Sequence, residues 1–193
     1  MGSEIRIYKI ETIVKKLLLL ASVLAWVSGV FAEEKPKLIV GVVISHFYPE
    51  WMDMYANELS ENGLKRIMKQ GVRVNMNYNY FYTQTGVDHA SIYTGMLPTE
   101  HGIVSRAWYD RLRRKRQYST RSDRYTEIGD QQADSIKSLS PDYLQTMSLG
   151  SAMKWNNPMS RVFSIAMNGD EAVLSGGSSA DMAIWFSEKT GKW

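Results

Sequence analysis

The most constraining feature of the sequence is a short, almost wholly apolar and β-branched segment that runs from Leu38 to Ile44. A run without polar alternation is typical of a strand that is buried on both faces of a parallel sheet. The segment ends at Ser45-His46, and the apolar residues that follow recur at broadly helical spacing as far as Gly71, where we predict that the helix stops. A strand followed by a helix is the unit from which α/β folds are built.

The alternation continues along the rest of the chain. Further strands are predicted at residues 72–77, 103–108, 161–167, 171–174 and 183–186. Helices are predicted after Thr85 and after Ser140-Pro141-Asp142, where a cap, an N1 proline and a first-turn acid coincide. We therefore predict an α/β domain with a largely parallel central sheet flanked by helices. Ligands in such sheets bind beyond the carboxyl ends of the strands, which points to Ser45-His46 and to the loop before Thr85.

Residues 1–32 have the pattern of an export signal. Four basic side chains precede an apolar stretch at residues 17–32, which ends in small residues before Glu33. The stretch is shorter than the about 20 apolar residues that a spanning helix needs. We predict a cleavable signal peptide at 1–32, a mature domain at 33–193, no stable membrane span and a periplasmic location. An uncleaved anchor is the alternative.

Composition narrows the class of partner. The chain contains no cysteine, which excludes disulfides and a lipoprotein anchor. Its net charge is +3, of which residues 1–32 contribute +2, so the remainder gives no argument for binding nucleic acid. One basic run does stand out, from Arg111 to Arg124, with Tyr118 inside it. We predict a solvated hairpin or loop there, and the alternative is a site for an anionic partner such as lipopolysaccharide or polyphosphate.

Thr85 precedes Gly86 at a predicted helix start. Free backbone N–H groups at such a start attract phosphate or sulfate, and a hydroxyl there becomes a nucleophile if a metal or a base lowers its pKa. The residue types alone leave a second interpretation open, in which Thr85 only caps the helix.

One longer string is specific to a family. It runs from His89 to Gly95 and continues with Pro98, His101-Gly102-Ile103 and Trp108-Tyr109-Asp110. It resembles the threonine-nucleophile alkaline phosphatases, which are neighbours of the nucleotide pyrophosphatase/phosphodiesterases. The resemblance covers nearly all of the predicted mature chain. It implies the N-terminal portion of an alkaline-phosphatase-like sandwich.

The resemblance also implies roles for single positions. The nucleophilic threonine of the family falls at Thr85, and the first metal aspartate falls at Ser45. The phosphate-binding asparagine falls at Arg106. The lysine and the arginine that grip the transferring phosphoryl group fall at Asn168 and Asp170. Only the threonine position keeps the residue type of the family.

These departures predict a loss of catalysis. Serine cannot replace a carboxylate as a zinc ligand, and a carboxylate at Asp170 repels the phosphate that an arginine would hold. His46 is a weak candidate ligand, because neighbouring strand residues face opposite ways. The family uses two zinc ions, whose remaining ligands fall in a C-terminal half that this chain does not have, so we expect no metal cofactor here. Asp88-His89 and His101 are predicted to be structural.

Three functional hypotheses remain. The first is a degenerate pseudoenzyme, and the second is an active hydrolase of phosphate monoesters or diesters, completed by a missing C-terminal half or by a partner chain. The third is a periplasmic interaction protein that reuses the old cleft or the basic run. We favour the first and third together. An incomplete sheet exposes edges and apolar surface, so we also expect a protein partner or self-association.

Overall fold

The computed structural model describes residues 16, 36–122, 124–125, 127–128 and 138–193. Apart from Lys16, the predicted signal peptide lies outside the described residues. The chain divides into two compact units, Met1–Arg73 and Val74–Trp193. Within the described part, no helix combines the length and the apolar character needed to cross a membrane.

The first unit contains two short helices, α1 at Glu50–Met54 and α2 at Leu64–Gln70. The single helix predicted here is interrupted by turns, and Gly63 occupies the N-cap of α2. The predicted stop is confirmed, since the N–H of Gly71 donates to the carbonyl of Ile67 at 2.8 Å.

The strand predicted from Leu38 to Ile44 is wrong. The segment has no strand partner among the described residues, and its side chains are exposed, with Leu38 at 78 % and Val42 at 75 %. A strand buried on both faces needs a neighbour along its edges and a layer over each face, and the described residues provide neither. The strand predicted at residues 72–77 is absent for the same reason, with Val72 exposed.

The second unit holds the remaining elements. They are α3 (Thr85–Thr94), α4 (Pro98–His101), β1 (Ala107–Asp110), β2 (Lys115–Tyr118), α5 (Leu149–Asn156), β3 (Phe163–Ala166), α6 (Gly169–Gly176) and β4 (Met182–Trp185). β1 and β2 form an antiparallel hairpin, so of the hairpin or loop predicted for the basic run the structure shows a hairpin. β3 and β4 pair in parallel, with α6 as the connection between them. The fold is α/β, but its described sheets have two strands each, and the largely parallel central sheet is not seen.

The strand predicted at 171–174 is wrong, because these residues lie inside α6. A short apolar run does not distinguish a buried strand from a buried helix turn. The flanking residues favour the helix, since Asp170 and Glu171 lie in its first turn and Gly177 ends it. The strands predicted at 161–167 and 183–186 are confirmed as β3 and β4, with slightly different ends.

The helix predicted after Ser140-Pro141-Asp142 is also wrong. The N–H of Ser140 donates to the carbonyl of Thr120 at 2.6 Å, and the hydroxyl of Ser122 donates to the Asp142 carboxylate at 2.9 Å. These tertiary bonds hold the segment as a turn. The helix, α5, begins later, where Ser148 accepts a hydrogen bond from the N–H of Ser151.

Packing of α3 against α6 builds the core of the second unit. The buried cluster consists of Val87, Ala90, Ile103, Val173 and Leu174. The two helices approach closely, because a Cβ at Gly86 would lie only 3.3 Å from Leu174. The N-terminus of α3 is thereby fixed against α6.

Gly177 should be the least replaceable glycine of this unit. Its backbone, at φ 73° and ψ −174°, is accessible essentially to glycine alone, and a Cβ there would overlap the side chain of Ser148. We expect Gly177→Ala to lower the free energy of unfolding by about 3 kcal/mol through strain and overpacking. Gly95→Ala is the matched control, because φ is also positive there but the space is open. It should cost about 1–2 kcal/mol. Urea unfolding measures both, and equal losses would contradict the steric argument.

Candidate functional site

Thr85 is the first residue of α3 and is exposed. The N-cap position belongs to Gln84, so the interpretation of Thr85 as the capping residue is wrong. Within the described part of the chain, no residue hydrogen-bonds the Thr85 hydroxyl, which lies beside the free N–H groups of the first helical turn. The hydroxyl therefore faces an environment that suits an anion.

Gln84 joins this helix start to the segment that carries Arg106. Its Oε1 accepts hydrogen bonds from the N–H of Arg106 at 2.8 Å and from the hydroxyl of Ser105 at 3.2 Å. Its Nε2 donates to the hydroxyl of Tyr82 at 2.7 Å. Sequence reasoning missed Gln84, because a glutamine before a threonine carries no signal of such a role.

Arg106 and Asp170 form an ion pair. The Nε of Arg106 lies 3.7 Å from Oδ2 of Asp170, and the hydroxyl of Thr120 donates a short hydrogen bond to Oδ1 of the same carboxylate. Asp170 lies in the first turn of α6, where the positive end of the helix dipole favours a carboxylate. Two of the predicted site residues are therefore paired, and their opposite charges offset each other in part.

Asn168 is the N-cap residue of α6, although its side chain does not cap the helix. Its Nδ2 instead donates to the carboxylate of Glu171 at 2.9 Å. The amide thus makes a local bond at the helix start. It lies two residues from Asp170, at the same end of α6.

Ser45 and His46 belong to the first unit, where both are exposed in a turn. The strand whose end they were predicted to mark is not formed, and His46 has a positive φ of 56°. In the described residues, no group of three or more histidine, cysteine, aspartate or glutamate side chains is placed to hold a metal ion.

Asp88 and His89 have structural partners. Tyr80 donates a hydrogen bond to Asp88 at 2.9 Å, and burial together with this bond raises the pKa of Tyr80 to about 12. His89 is buried, with its Nδ1 2.8 Å from the hydroxyl of Ser175 on α6. The bond between His89 and Ser175 adds a polar contact to the packing of α3 on α6.

His101 is fully buried in one tautomer. Its Nδ1 accepts a hydrogen bond from the N–H of Ile103 at 3.1 Å, so the proton lies on Nε2, which donates to the hydroxyl of Ser91 at 3.0 Å. With both nitrogens occupied, His101 is unavailable as a metal ligand or as a general base.

The arrangement provides an exposed hydroxyl at a helix start, and that hydroxyl has no hydrogen-bond partner among the described residues. The nearby Arg106 guanidinium lies 3.7 Å from the Asp170 carboxylate through its Nε and is otherwise largely exposed, so a phosphate that reached it would also meet that carboxylate. An exposed hydroxyl beside the free N–H groups of a helix start is a position that an anion can approach.

Known proteins share the sequence and the fold. The pattern of the type I phosphodiesterase / nucleotide pyrophosphatase family matches residues 39–190. The chain is 31 % identical over 178 residues to alkaline phosphatase PafA of Elizabethkingia meningoseptica, covering 86 % of this chain and 32 % of the relative. It is 30 % identical over 161 residues to alkaline phosphatase PhoK of a Sphingomonas species, covering 83 % and 28 %. The chain thus spans about a third of the length of such relatives.

A solved structure has the same fold. The crystal structure of wild-type alkaline phosphatase PafA superposes with a TM-score of 0.76 and 29 % sequence identity, covering 83 % of this chain and 31 % of that one. A PafA variant with four substitutions gives the same values. The α/β fold described above is therefore similar to the N-terminal portion of an alkaline phosphatase.

Stability should fall as the pH drops below 7. Burial lowers the pKa of both His89 and His101, whose ordinary value is about 6.5. At a pH below that value, the two imidazoles bind protons in the unfolded chain but stay neutral in the folded chain. The free energy of unfolding therefore declines as the pH falls, until the pH reaches the lowered pKa of the folded state. Urea unfolding at several pH values between 7 and 5 measures the slope.

His89→Asn serves as the companion variant, because it keeps a polar atom near Ser175 but removes the titrating ring. Its slope should be distinctly shallower than that of the unsubstituted chain. Stability that stays flat between pH 7 and 5 would contradict the assignment.

Proposed function

The chain belongs to the type I phosphodiesterase / nucleotide pyrophosphatase family, and on that premise we propose that it is a catalytically deficient member with a binding or interaction role. The ion pair between Arg106 and Asp170 carries the proposal. In the family that the chain resembles, these positions belong to two groups that hold the phosphate. Here they hold each other.

The position-by-position match between this chain and alkaline phosphatase PafA has independent support. The solved variant of PafA carries substitutions at a threonine, an asparagine, a lysine and an arginine. The intervals between those four positions are the same as the intervals between Thr85, Arg106, Asn168 and Asp170. The comparison supports the proposal that these four residues occupy the phosphate-handling positions of the family.

Electrostatics then opposes phosphoryl transfer at this site. Asp170 lies where the resemblance places a phosphate-gripping cation, and it also neutralises Arg106. Its carboxylate takes a hydrogen bond from Thr120 and lies at the N-terminus of α6. We propose that Asp170 acts as a resident anion in the place of the substrate phosphate. An arriving phosphate would meet repulsion in place of a cationic clamp.

The residues present do not fit the two zinc ions of the family. Zinc would activate the hydroxyl and stabilise the attacking and leaving oxygens, but Ser45 offers a neutral hydroxyl at the position of a carboxylate ligand. His46 is the nearest candidate ligand in sequence, and the described residues place it in no group of three or more histidine, cysteine, aspartate or glutamate side chains that could hold a metal ion. We therefore derive no reaction step through zinc for this chain.

A second candidate function is an active hydrolase that uses Thr85 as its nucleophile. The observation in its favour is the Thr85 hydroxyl itself, exposed and without a hydrogen-bond partner in the described part of the chain. Because the chain spans about a third of its relatives, this function requires the site to be completed by further residues or by a partner chain.

We propose in addition that the protein is exported by a signal peptide at residues 1–32 and works in the periplasm. The order of basic, apolar and small residues supports this proposal. Association with a protein partner or with a second copy is part of the same proposal. Its support is the apolar surface of the described residues, which includes Phe163 and Ile165 on β3.

Turnover decides between the two functions. We expect the purified mature protein to bind less than stoichiometric zinc and to hydrolyse a chromogenic phosphate monoester and diester no faster than a Thr85→Ala variant. An active threonine enzyme should lose at least about 10³-fold in that variant. Stoichiometric zinc together with a rate that Thr85→Ala abolishes would overturn the pseudoenzyme and establish the hydrolase.

Asp170→Asn tests the resident anion directly. Removing the carboxylate frees Arg106, so inorganic phosphate should bind roughly three- to tenfold more tightly at low salt, as measured by calorimetry. Glu171→Gln is the matched control, since it removes the same charge from the same helix turn, where Glu171 contacts Asn168 instead. An equal gain in phosphate affinity in both variants would mean that only the net charge matters, and it would contradict the proposal.

A further inference from the structure

A polar cavity lies on the basic hairpin, and neither Thr85 nor Asp170 lines it. Its volume is about 460 Å³, within the range of small-ligand sites. Five cationic side chains line it: Arg113, Lys115, Arg116, Arg121 and Arg124. Asp142 is the one carboxylate among the described lining residues. The described lining residues therefore carry a large excess of positive charge.

Tyr118 orders two of these cations. The guanidinium of Arg121 lies 3.9 Å from the centre of the Tyr118 ring, and that of Arg116 lies 5.4 Å away. Arg116 and Tyr118 are two residues apart on β2, so they project from the same face of the hairpin. Cation–π contacts use the faces of the groups and leave the N–H edges of a guanidinium free to donate.

The lining cations have few anionic partners. Arg113 lies 3.8 Å from the carboxylate of Asp110, and Asp142 accepts a hydrogen bond from Ser122 at 2.9 Å. Lys115 lies opposite Asp110 in the hairpin and interacts with its charge, but the part of the chain that the structure describes contains no ion pair for Arg116 or Arg121. Like charges gathered around one ring repel each other, and a bound anion would remove that cost.

The hairpin is held firmly enough to keep this cavity in shape. β1 and β2 are paired in register along four residues each, and Trp108 packs edge-on against Tyr143, with ring centres 5.6 Å apart. At its base, the N–H of Ser119 donates to the carbonyl of Arg106 at 3.0 Å. None of Thr85, Arg106 and Asp170 lines the cavity.

We propose that this cavity binds an anion with two or more phosphate groups. A single phosphate would neutralise only part of the cluster, whereas linked phosphates engage several guanidinium forks and an ammonium at once. The shared chemistry has two sources, a soluble oligophosphate and the phosphates of a lipid headgroup. The site is independent of any catalysis at Thr85.

Calorimetry with tripolyphosphate and the purified protein tests the proposal. Arg121→Gln and Arg116→Gln should each weaken binding roughly tenfold, because each removes a charge-assisted contact. Arg111→Gln is the matched control, since it removes the same charge from the same hairpin without lining the cavity. It should change the affinity by no more than about twofold.

Vesicle sedimentation identifies the source. Vesicles of phosphatidylcholine mixed with cardiolipin present paired phosphates, and vesicles of phosphatidylcholine alone are the blank. Binding of tripolyphosphate without cardiolipin vesicles indicates a soluble ligand, and binding of the vesicles that Arg121→Gln abolishes indicates a headgroup. The proposal fails if neither probe binds, or if Arg111→Gln weakens binding as much as Arg121→Gln does.

Discussion

The contact between α3 and α6 determines the rest of the second unit. Leu174 lies so close to Gly86 that a single added methyl group would meet it at 3.3 Å. Burial of Val87, Ala90 and Leu174 holds the two helices together. This packing fixes the start of α3, which Gln84 ties to Arg106. Arg106 in turn pairs with Asp170 at the start of α6. The N-termini of α3 and α6, each the positive end of a helix dipole, are therefore linked through Arg106.

The elements that sequence predicts well are those with local signals. Gly71 ends α2 as its position indicates, and the turn-rich basic run folds as a hairpin. The pairing and burial of a strand depend on distant parts of the fold, which explains why the strand predicted from Leu38 to Ile44 is wrong. That segment has the composition of a central strand but no strand partner among the described residues. At 171–174 the apolar run fits a helix and a strand equally, and the acids at its start decide.

The candidate site was predictable in part. Resemblance locates Thr85, and the structure places it at the start of α3. The ion pair between Arg106 and Asp170 could not be predicted from the sequence, because the two residues are 64 positions apart and no local pattern indicates that they are neighbours in the fold. Considered alone, each residue looks like the independent loss of a phosphate-binding side chain. Together they form a replacement of one electrostatic arrangement by another, with Thr120 as its third member.

The distance along the chain between the two halves of the core sets the order of folding. Val87 and Leu174 pack together although more than eighty residues separate them, so their contact closes a long loop and carries its entropy cost. The hairpin needs only contacts between near neighbours, and hairpins form within microseconds. Pairing of β1 with β2 should thus need less loop closure than packing of α3, which begins at Thr85, against α6. The part of the unit that is easiest to close is therefore the part that carries the cations, whereas the corner at Thr85 depends on the longer closure.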